Sequence, residues 1–188
     1  PNGVRVSYFK APTSLELSHD YLWRVHQQCP PRGIVGIFNR SHYEDVLVPV
    51  VNQWITPEQT RQRYQHINDF ERLLTDTGTV ILKFMLHISF EEQRARLQER
   101  INDPTKHWKV SPGDLEERGH WPAYQLAYQV LLERCSTDVA PWHLVPADRK
   151  WYRDWALAHL LLETLQGMKL SWPTPELDFE GMRAALRA

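Results

Sequence analysis

The sequence predicts an α/β domain built on a parallel sheet with helices on both faces. Three observations carry this expectation. Short apolar runs alternate with amphipathic stretches along nearly the whole chain, the order produced by repeated βα units. Ile34-Val35-Gly36-Ile37-Phe38 is a continuous apolar run of strand length after a Pro-Pro-Arg-Gly turn, the pattern of a strand buried on both faces of such a sheet. Thr56-Pro57-Glu58-Gln59 and Ser89-Phe90-Glu91-Glu92 have capping-box form, and each opens a stretch with helical spacing.

In chain order, residues 4–10 are predicted as a strand that ends at Ala11-Pro12-Thr13-Ser14. Residues 16–28 carry Leu17, Tyr21, Leu22 and Val25 at helical spacing and stop at Pro30-Pro31. The strand at 34–38 gives way to a polar stretch, and residues 46–54 are predicted as helix. After Thr56, the residues Tyr64, Ile67, Phe70, Leu73 and Leu74 supply one apolar face, and Gly78 ends that helix. Residues 79–87 form a second buried-strand candidate. Ser89 then opens a helix to about residue 101. A polar segment over 102–109 leads to a third cap at Ser111-Pro112-Gly113-Asp114, a helix over 121–135 and a last strand at 142–147. A closing amphipathic helix covers 151–167, with Trp155, Ala158, Leu161, Leu162 and Leu165 on one side; from Trp172 the tail is Pro-rich, then weakly helical. The organisation expected is a single domain over 1–188 with a helical insertion at about 89–121, because so long an excursion between strands usually serves as a lid or docking element.

Composition narrows the function. Hydrophobic residues at 42% and charged residues at 24% describe a globular chain, not a disordered one. A net charge of −1 supplies no global basic field, so neither nucleic acid nor a membrane surface is expected as partner. A polyanion site must then come from a local concentration of Lys and Arg. Cys29 and Cys135 lack the CxxC spacing of a zinc site or disulfide framework and read as core thiols of a cytoplasmic protein. The nine histidines form no HxxxH pair, and no protein metal centre is assigned.

Four constellations could carry chemistry. The first is Asn39-Arg40-Ser41-His42-Tyr43-Glu44-Asp45, just past a strand's carboxyl end, where open parallel sheets bind ligands. Arg40 could clamp a phosphate there, and Glu44 or Asp45 could face Mg²⁺ or a nucleotide. A solvated loop with a helix cap is the competing reading. The second is a basic set, Arg94, Arg96, Arg100, Lys106, His107, Lys109 and Arg118; Arg96 and Arg100 share a helical face, so a bound anion would relieve their repulsion. Interspersed Glu91, Glu92 and Glu99 favour a plain mixed-charge surface instead. Lys10 and Thr13 follow a strand end and could contact phosphate or nucleotide, or simply make a βα connection. Asp148-Arg149-Lys150 with Arg153 ends the last strand in the same way. No GxxxxGK[ST] loop occurs anywhere in the chain.

Taken together, FNRSHYEDVLV at 38–48, KHWKVSPGDLEERGHW at 106–121 and APWHLVPADRK at 140–150 resemble the polyphosphate kinase 2 family. FKAPTSLELSHDYLWR at 9–24 is similar to it too, so the likeness runs from Val4 to about Leu165. The resemblance implies a thymidylate-kinase-like, P-loop-kinase-type domain with a helical lid. It implies transfer of phosphoryl groups between inorganic polyphosphate and AMP, ADP or ATP with Mg²⁺, in a homo-oligomer. Asn39 and Arg40 occupy the Walker B position, where many members have Asp-Arg. Asn39 with Glu44 resembles the class III subgroup, which accepts both AMP and ADP. Asn39, Arg40 and Glu44 are therefore the catalytic candidates, and Lys10, Thr13, His42 and Tyr43 the nucleotide-side candidates. Arg96, Arg100, Lys106, Lys109 and Arg118 match the lid's basic positions. The family's Walker A loop would precede Val4, so the chain is expected to be a fragment whose first strand and loop lie outside it. An ATP-dependent nucleoside monophosphate kinase and a non-catalytic polyphosphate- or nucleotide-binding module remain as alternatives.

Overall fold

Four five-residue strands pair in parallel as two separate ladders in the computed structural model, which describes residues 2–172 and 175–187. Strand β1 (Val4–Tyr8) pairs with β2 (Val35–Asn39), and β3 (Lys83–His87) pairs with β4 (Trp142–Pro146). A single sheet was the expectation; two two-stranded sheets are observed, because no strand among the described residues bonds to the second edge of β2 or of β3. The expectation that 34–38 is buried on both faces also fails. The register Val4↔Val35 and Val6↔Ile37 puts these side chains on one face, where Val6, Tyr8, Val35 and Ile37 are exposed. The opposite face is covered at its carboxyl end, where Phe38 meets Phe9 edge-on at 5.0 Å, over Val25 and Phe70.

The chain forms two compact units, Pro1–Asp148 and Arg149–Ala188. In the first, the helix expected over 16–28 is broken into α1 (Ser14–Leu17) and α2 (Trp23–His26). The cause is local. Ser18 Oγ donates to the Leu15 carbonyl at 2.7 Å, and Asp20 Oδ1 accepts the N–H groups of Leu22 and Trp23, both at 3.0 Å, which starts a new helix. The helix expected at 46–54 is likewise shorter, a 3-10 turn (His42–Val46) followed by α3 (Val48–Val51).

Helix α4 (Pro57–Asp76) has the capping box its sequence announces: Thr56 Oγ1 accepts from Gln59 N at 3.2 Å, and Gln59 Oε1 accepts from Thr56 N at 2.8 Å. Thr56→Ala removes one half of that exchange and is expected to cost about 1 kcal/mol, read as a lower denaturant midpoint at unchanged slope. Helix α5 (Phe90–Asn102) keeps only half of its box. Ser89 Oγ accepts from Glu92 N at 3.1 Å, but the Glu92 carboxylate turns to Arg96 Nε at 2.8 Å. A 3-10 turn (Pro104–Lys109), α6 (Gly113–Gly119) and α7 (Trp121–Cys135) complete this segment.

The main core joins the 3-10 turn to α4 and α7 through Tyr43, Val46, Leu47, Tyr64, Ile67, Ala127, Leu131 and Cys135. Full burial of side chains such as Ile67 and Leu131 contributes roughly 1.5–3 kcal/mol apiece. The polar stretch after β2 is thus part of the core, with one side sealed inside and the other left to solvent. The second unit contains α8 (Lys150–Gly167) and α9 (Phe179–Ala185). The apolar stripe expected on α8 is there, with Trp155, Leu161 and Leu162 exposed. Pro173, in the Pro-rich tail, lies outside the described residues.

Candidate active site

The candidate residues of the first constellation stand at the carboxyl end of the β1–β2 ladder. The Asn39 carbonyl accepts the Phe9 N–H at 3.1 Å, which closes the ladder and places Asn39 beside the chain leading into Lys10. Arg40 follows with φ of +61°, in the left-handed region that a residue with a Cβ occupies only when its surroundings fix it there. Ser41 is extended and caps the 3-10 turn by accepting from Tyr43 N at 3.3 Å. One turn later, Glu44 faces back, its carboxylate 3.8 Å from Arg40 Nη1.

Burial raises Glu44 above its ordinary range, and Arg40 opposes the rise. Burial also raises Asp45, against the pull of Arg24 and Arg63. Arg40 itself is mostly exposed. The outer side of the turn therefore presents a guanidinium fork, an amide and a half-buried carboxylate, a set able to hold phosphate oxygens and a cation that accompanies them.

Two arginines that the sequence reading passed over fasten this site. Arg24 is buried; its Nη1 donates to the Lys10 carbonyl at 2.9 Å and its Nη2 lies 3.6 Å from Asp45 Oδ2, tying the end of β1 to the turn after β2. Arg63, on α4, donates to the Asp45 carbonyl at 2.7 Å. Lys10 is exposed at this junction. Thr13 lies further on, its hydroxyl accepting from Glu16 N at 3.3 Å as the cap of α1.

His42 and Tyr43 point the other way. Both are buried, and Tyr43 enters a cluster of charged groups. Its hydroxyl donates to Glu71 Oε1 at 2.7 Å and accepts from Lys83 Nζ at 2.8 Å. Lys83 also donates to Glu71 Oε2 at 2.6 Å and to the Cys135 carbonyl at 2.7 Å, so each ammonium proton has an acceptor. His42 Nε2 is 3.4 Å from Glu71 Oε1. Burial alone would raise Glu71, but the nearby His42, the Lys83 charge and hydrogen bonds from Lys83 and Tyr43 outweigh it and hold the acid below its ordinary range. Burial pulls Lys83 down, with Glu71 opposing.

The basic residues of 89–121 are mostly paired within their own unit. Arg96 bonds to Glu92 and, through Nη2, to the Ala147 carbonyl at 2.7 Å, so its own helix and the end of β4 satisfy the charge that had suggested an anion. Lys106 pairs with Glu99 at 2.6 Å and Asp103 at 2.9 Å. Arg118 donates to the Phe90 carbonyl at 2.9 Å and to Gln93 Oε1, with its guanidinium 3.5 Å from the Phe90 ring centroid. Lys109 lies 4.8 Å from the centroid of the exposed Trp108 ring. No bond among the described residues joins these groups, or Arg100, to the 39–44 turn. No group of three His, Cys, Asp or Glu placed to hold a metal ion occurs among the described residues.

Parallel ladders, a polar turn at their carboxyl end and a basic helical segment define an α/β protein with a charged turn at its strand ends. The comparison with known proteins makes this specific. The sequence model of polyphosphate kinase 2 (PPK2) matches residues 1–173, and the chain belongs to that family. It is 54% identical over 180 residues to an AMP/ADP-polyphosphate phosphotransferase of Meiothermus ruber, covering 96% of this chain and 67% of that protein. It is 40% identical to an ADP-polyphosphate phosphotransferase of Rhodopseudomonas palustris, covering 92% of this chain and 64% of the relative. The crystal structure of polyphosphate kinase 2 from Arthrobacter aurescens TC1 superposes with a TM-score of 0.97 at 50% identity, over 100% of this chain and 66% of that one. The chain thus spans about two thirds of the length of these relatives.

Proposed function

We propose that the protein this chain belongs to transfers phosphoryl groups from inorganic polyphosphate to AMP and ADP. The carrying observation is the Asn39–Glu44 turn, with Arg40 held in a strained backbone conformation beside Glu44 at the ends of two parallel strands. Support comes from the 54% identity to a relative named as acting on AMP and ADP.

The proposal extends to a P-loop-kinase-type fold. Each two-stranded ladder has unpaired strand edges among the described residues to which a further parallel strand could add, and a phosphate-binding loop would follow that strand. Arg40 then orients the acceptor phosphate, Asn39 donates to phosphate oxygen or bound water, and Lys10 offers its charge at the same sheet edge. Arg100 and Lys109, together with Arg96, Lys106 and Arg118 once their present partners exchange, would meet the polyphosphate when 89–121 closes as a lid and excludes water. Transfer is direct and in line, with positioning and charge stabilisation supplying the rate. Isolation of a stable phosphoenzyme would contradict it.

Mg²⁺ fits the donor set as an ion carried by the phosphates, since such sites use one or two carboxylates and keep several waters. Glu44 would hold it, Asn39 through water, and the ion would neutralise charge on the transferred group. The free thiols Cys29 and Cys135 are consistent with a cytoplasmic setting, and no helix of the described residues is long and apolar enough to cross a membrane. A homo-oligomer completes the proposal, to be checked by light scattering.

The test is ATP formation from AMP and from ADP with long-chain polyphosphate and Mg²⁺, using the 188-residue chain and the full-length translation product side by side. Activity on both acceptors is expected from the full-length protein. ATP as the sole donor would favour a nucleoside monophosphate kinase. Salt-sensitive polyphosphate binding without turnover by either form would favour a binding module.

A further inference from the structure

The turn that carries Arg40 and Glu44 is fastened from inside by charged groups that never reach the surface. Tyr43 comes from the turn itself, Glu71 from α4, Lys83 from β3 and the Cys135 carbonyl from the end of α7. Their separations, 2.6 to 2.8 Å, leave no slack, and each Lys83 proton is used. We infer that Tyr43, Glu71 and Lys83 are positioning residues: this buried relay fixes where Arg40 and Glu44 stand, and Tyr43 acts through it and does not touch the nucleotide.

Three physical points support the assignment, which rests on the function proposed above. A positive φ at Arg40 persists only where neighbours over-determine it, and the Tyr43 hydroxyl makes the first side-chain hydrogen bond on the following residues that reaches another element. A buried ion pair is a poor means of gaining stability, since well-packed apolar residues of like volume do as well or better. What such a network does supply is a unique geometry, because a hydrogen-bonded ammonium tolerates far less displacement than an apolar contact. Finally, the relay joins three elements of the core to the one turn whose outer face carries the reactive groups.

Tyr43→Phe removes a single oxygen and keeps the ring against Trp142, at 4.7 Å, and His42, at 4.6 Å. In the full-length protein, well below its melting temperature, kcat is expected to fall about tenfold or more with KM for the nucleotide within about twofold, the effect of a small misplacement. Tyr64→Phe, which removes the hydroxyl of another tyrosine of the same core that bonds to none of these groups, is expected to leave kcat unchanged. Glu71→Gln is the second variant and should follow Tyr43→Phe in the same split. Hydrogen exchange of the amides of 40–47, which needs no turnover, should rise about tenfold in Tyr43→Phe while those of α7 stay as they are. If wild type lacks polyphosphate activity, the proposed function fails while the exchange still tests the relay. Unchanged exchange at 40–47, or unchanged kcat in an active enzyme with only a lower melting temperature, overturns the assignment.

Discussion

Replacing Arg40 with alanine is expected to lower turnover with polyphosphate by two to three orders of magnitude, about 2.7–4 kcal/mol, the usual consequence of removing one preorganised group from a developing negative charge. The expectation follows from how little else the side chain does. It is mostly exposed and its one ionic neighbour, Glu44, is 3.8 Å away, so its fold contribution is small. The backbone at +61° provides a control. Arg40→Gly relieves left-handed strain and should stabilise the fold by about 1 kcal/mol while losing as much activity as the alanine variant. Arg40→Lys keeps charge without the two-pronged fork and should fall between. Steady-state rates with AMP and ADP at saturating polyphosphate, beside melting curves, decide the matter. An alanine variant within threefold of wild type would remove Arg40 from the mechanism.

Much of the outer half of this site was legible in the sequence, because a polar stretch at a strand's carboxyl end has a chemical meaning independent of packing. That meaning is what singles out Arg40 and Glu44. The buried half was not, although a signal existed. Glu71 lies four residues beyond the core position Ile67 and directly after Phe70, on the buried face of α4, and Lys83 interrupts the apolar run Val80-Ile81-Leu82 before Phe84. A lone acid on a core stripe and a lone base in a core strand need each other, and pairing them on that ground would have predicted their contact. Arg24 carried no comparable signal, since its partners, the Lys10 carbonyl and Asp45, are brought to it by the ladder between β1 and β2. Helix breaks at Ser18 and Asp20 were missed for a related reason. Side-chain bonds to nearby backbone override an apolar period that still looks continuous. Repulsion between Arg96 and Arg100 suggested an anion, but a carbonyl contributed by residue 147 answers that charge, and no local pattern shows it.

Lys83→Met is expected to be the most damaging single change to stability, at about 3–5 kcal/mol, because it strands Glu71 as a buried carboxylate with its main countercharge gone. Glu71→Leu added to Lys83→Met should return most of that loss, since the pair replaced together leaves no uncompensated charge. The pH dependence has a definite sign. In the wild type Glu71 is held below its ordinary value of 4.5, so its stabilising contribution is present above that pH and disappears as the pH falls through the lowered value. Lys83 is pulled below 10.5 by burial, so the cost of keeping it charged is relieved only as the pH rises through its lowered value towards 10.5. In Lys83→Met the acid loses its cation, leaving burial opposed only by the Tyr43 hydrogen bond and the nearby His42, and Glu71 is expected to rise above 4.5. The Glu71 contribution in that variant is then least unfavourable at acid pH and worsens as the pH rises through the raised value, opposite to its course in wild type. The deficit relative to wild type should therefore be smaller at about pH 5 than at about pH 7.5, measured by denaturant unfolding at both. A deficit that does not change with pH, or one that grows on acidification, would mean that Glu71 and Lys83 do not stabilise each other as charged partners.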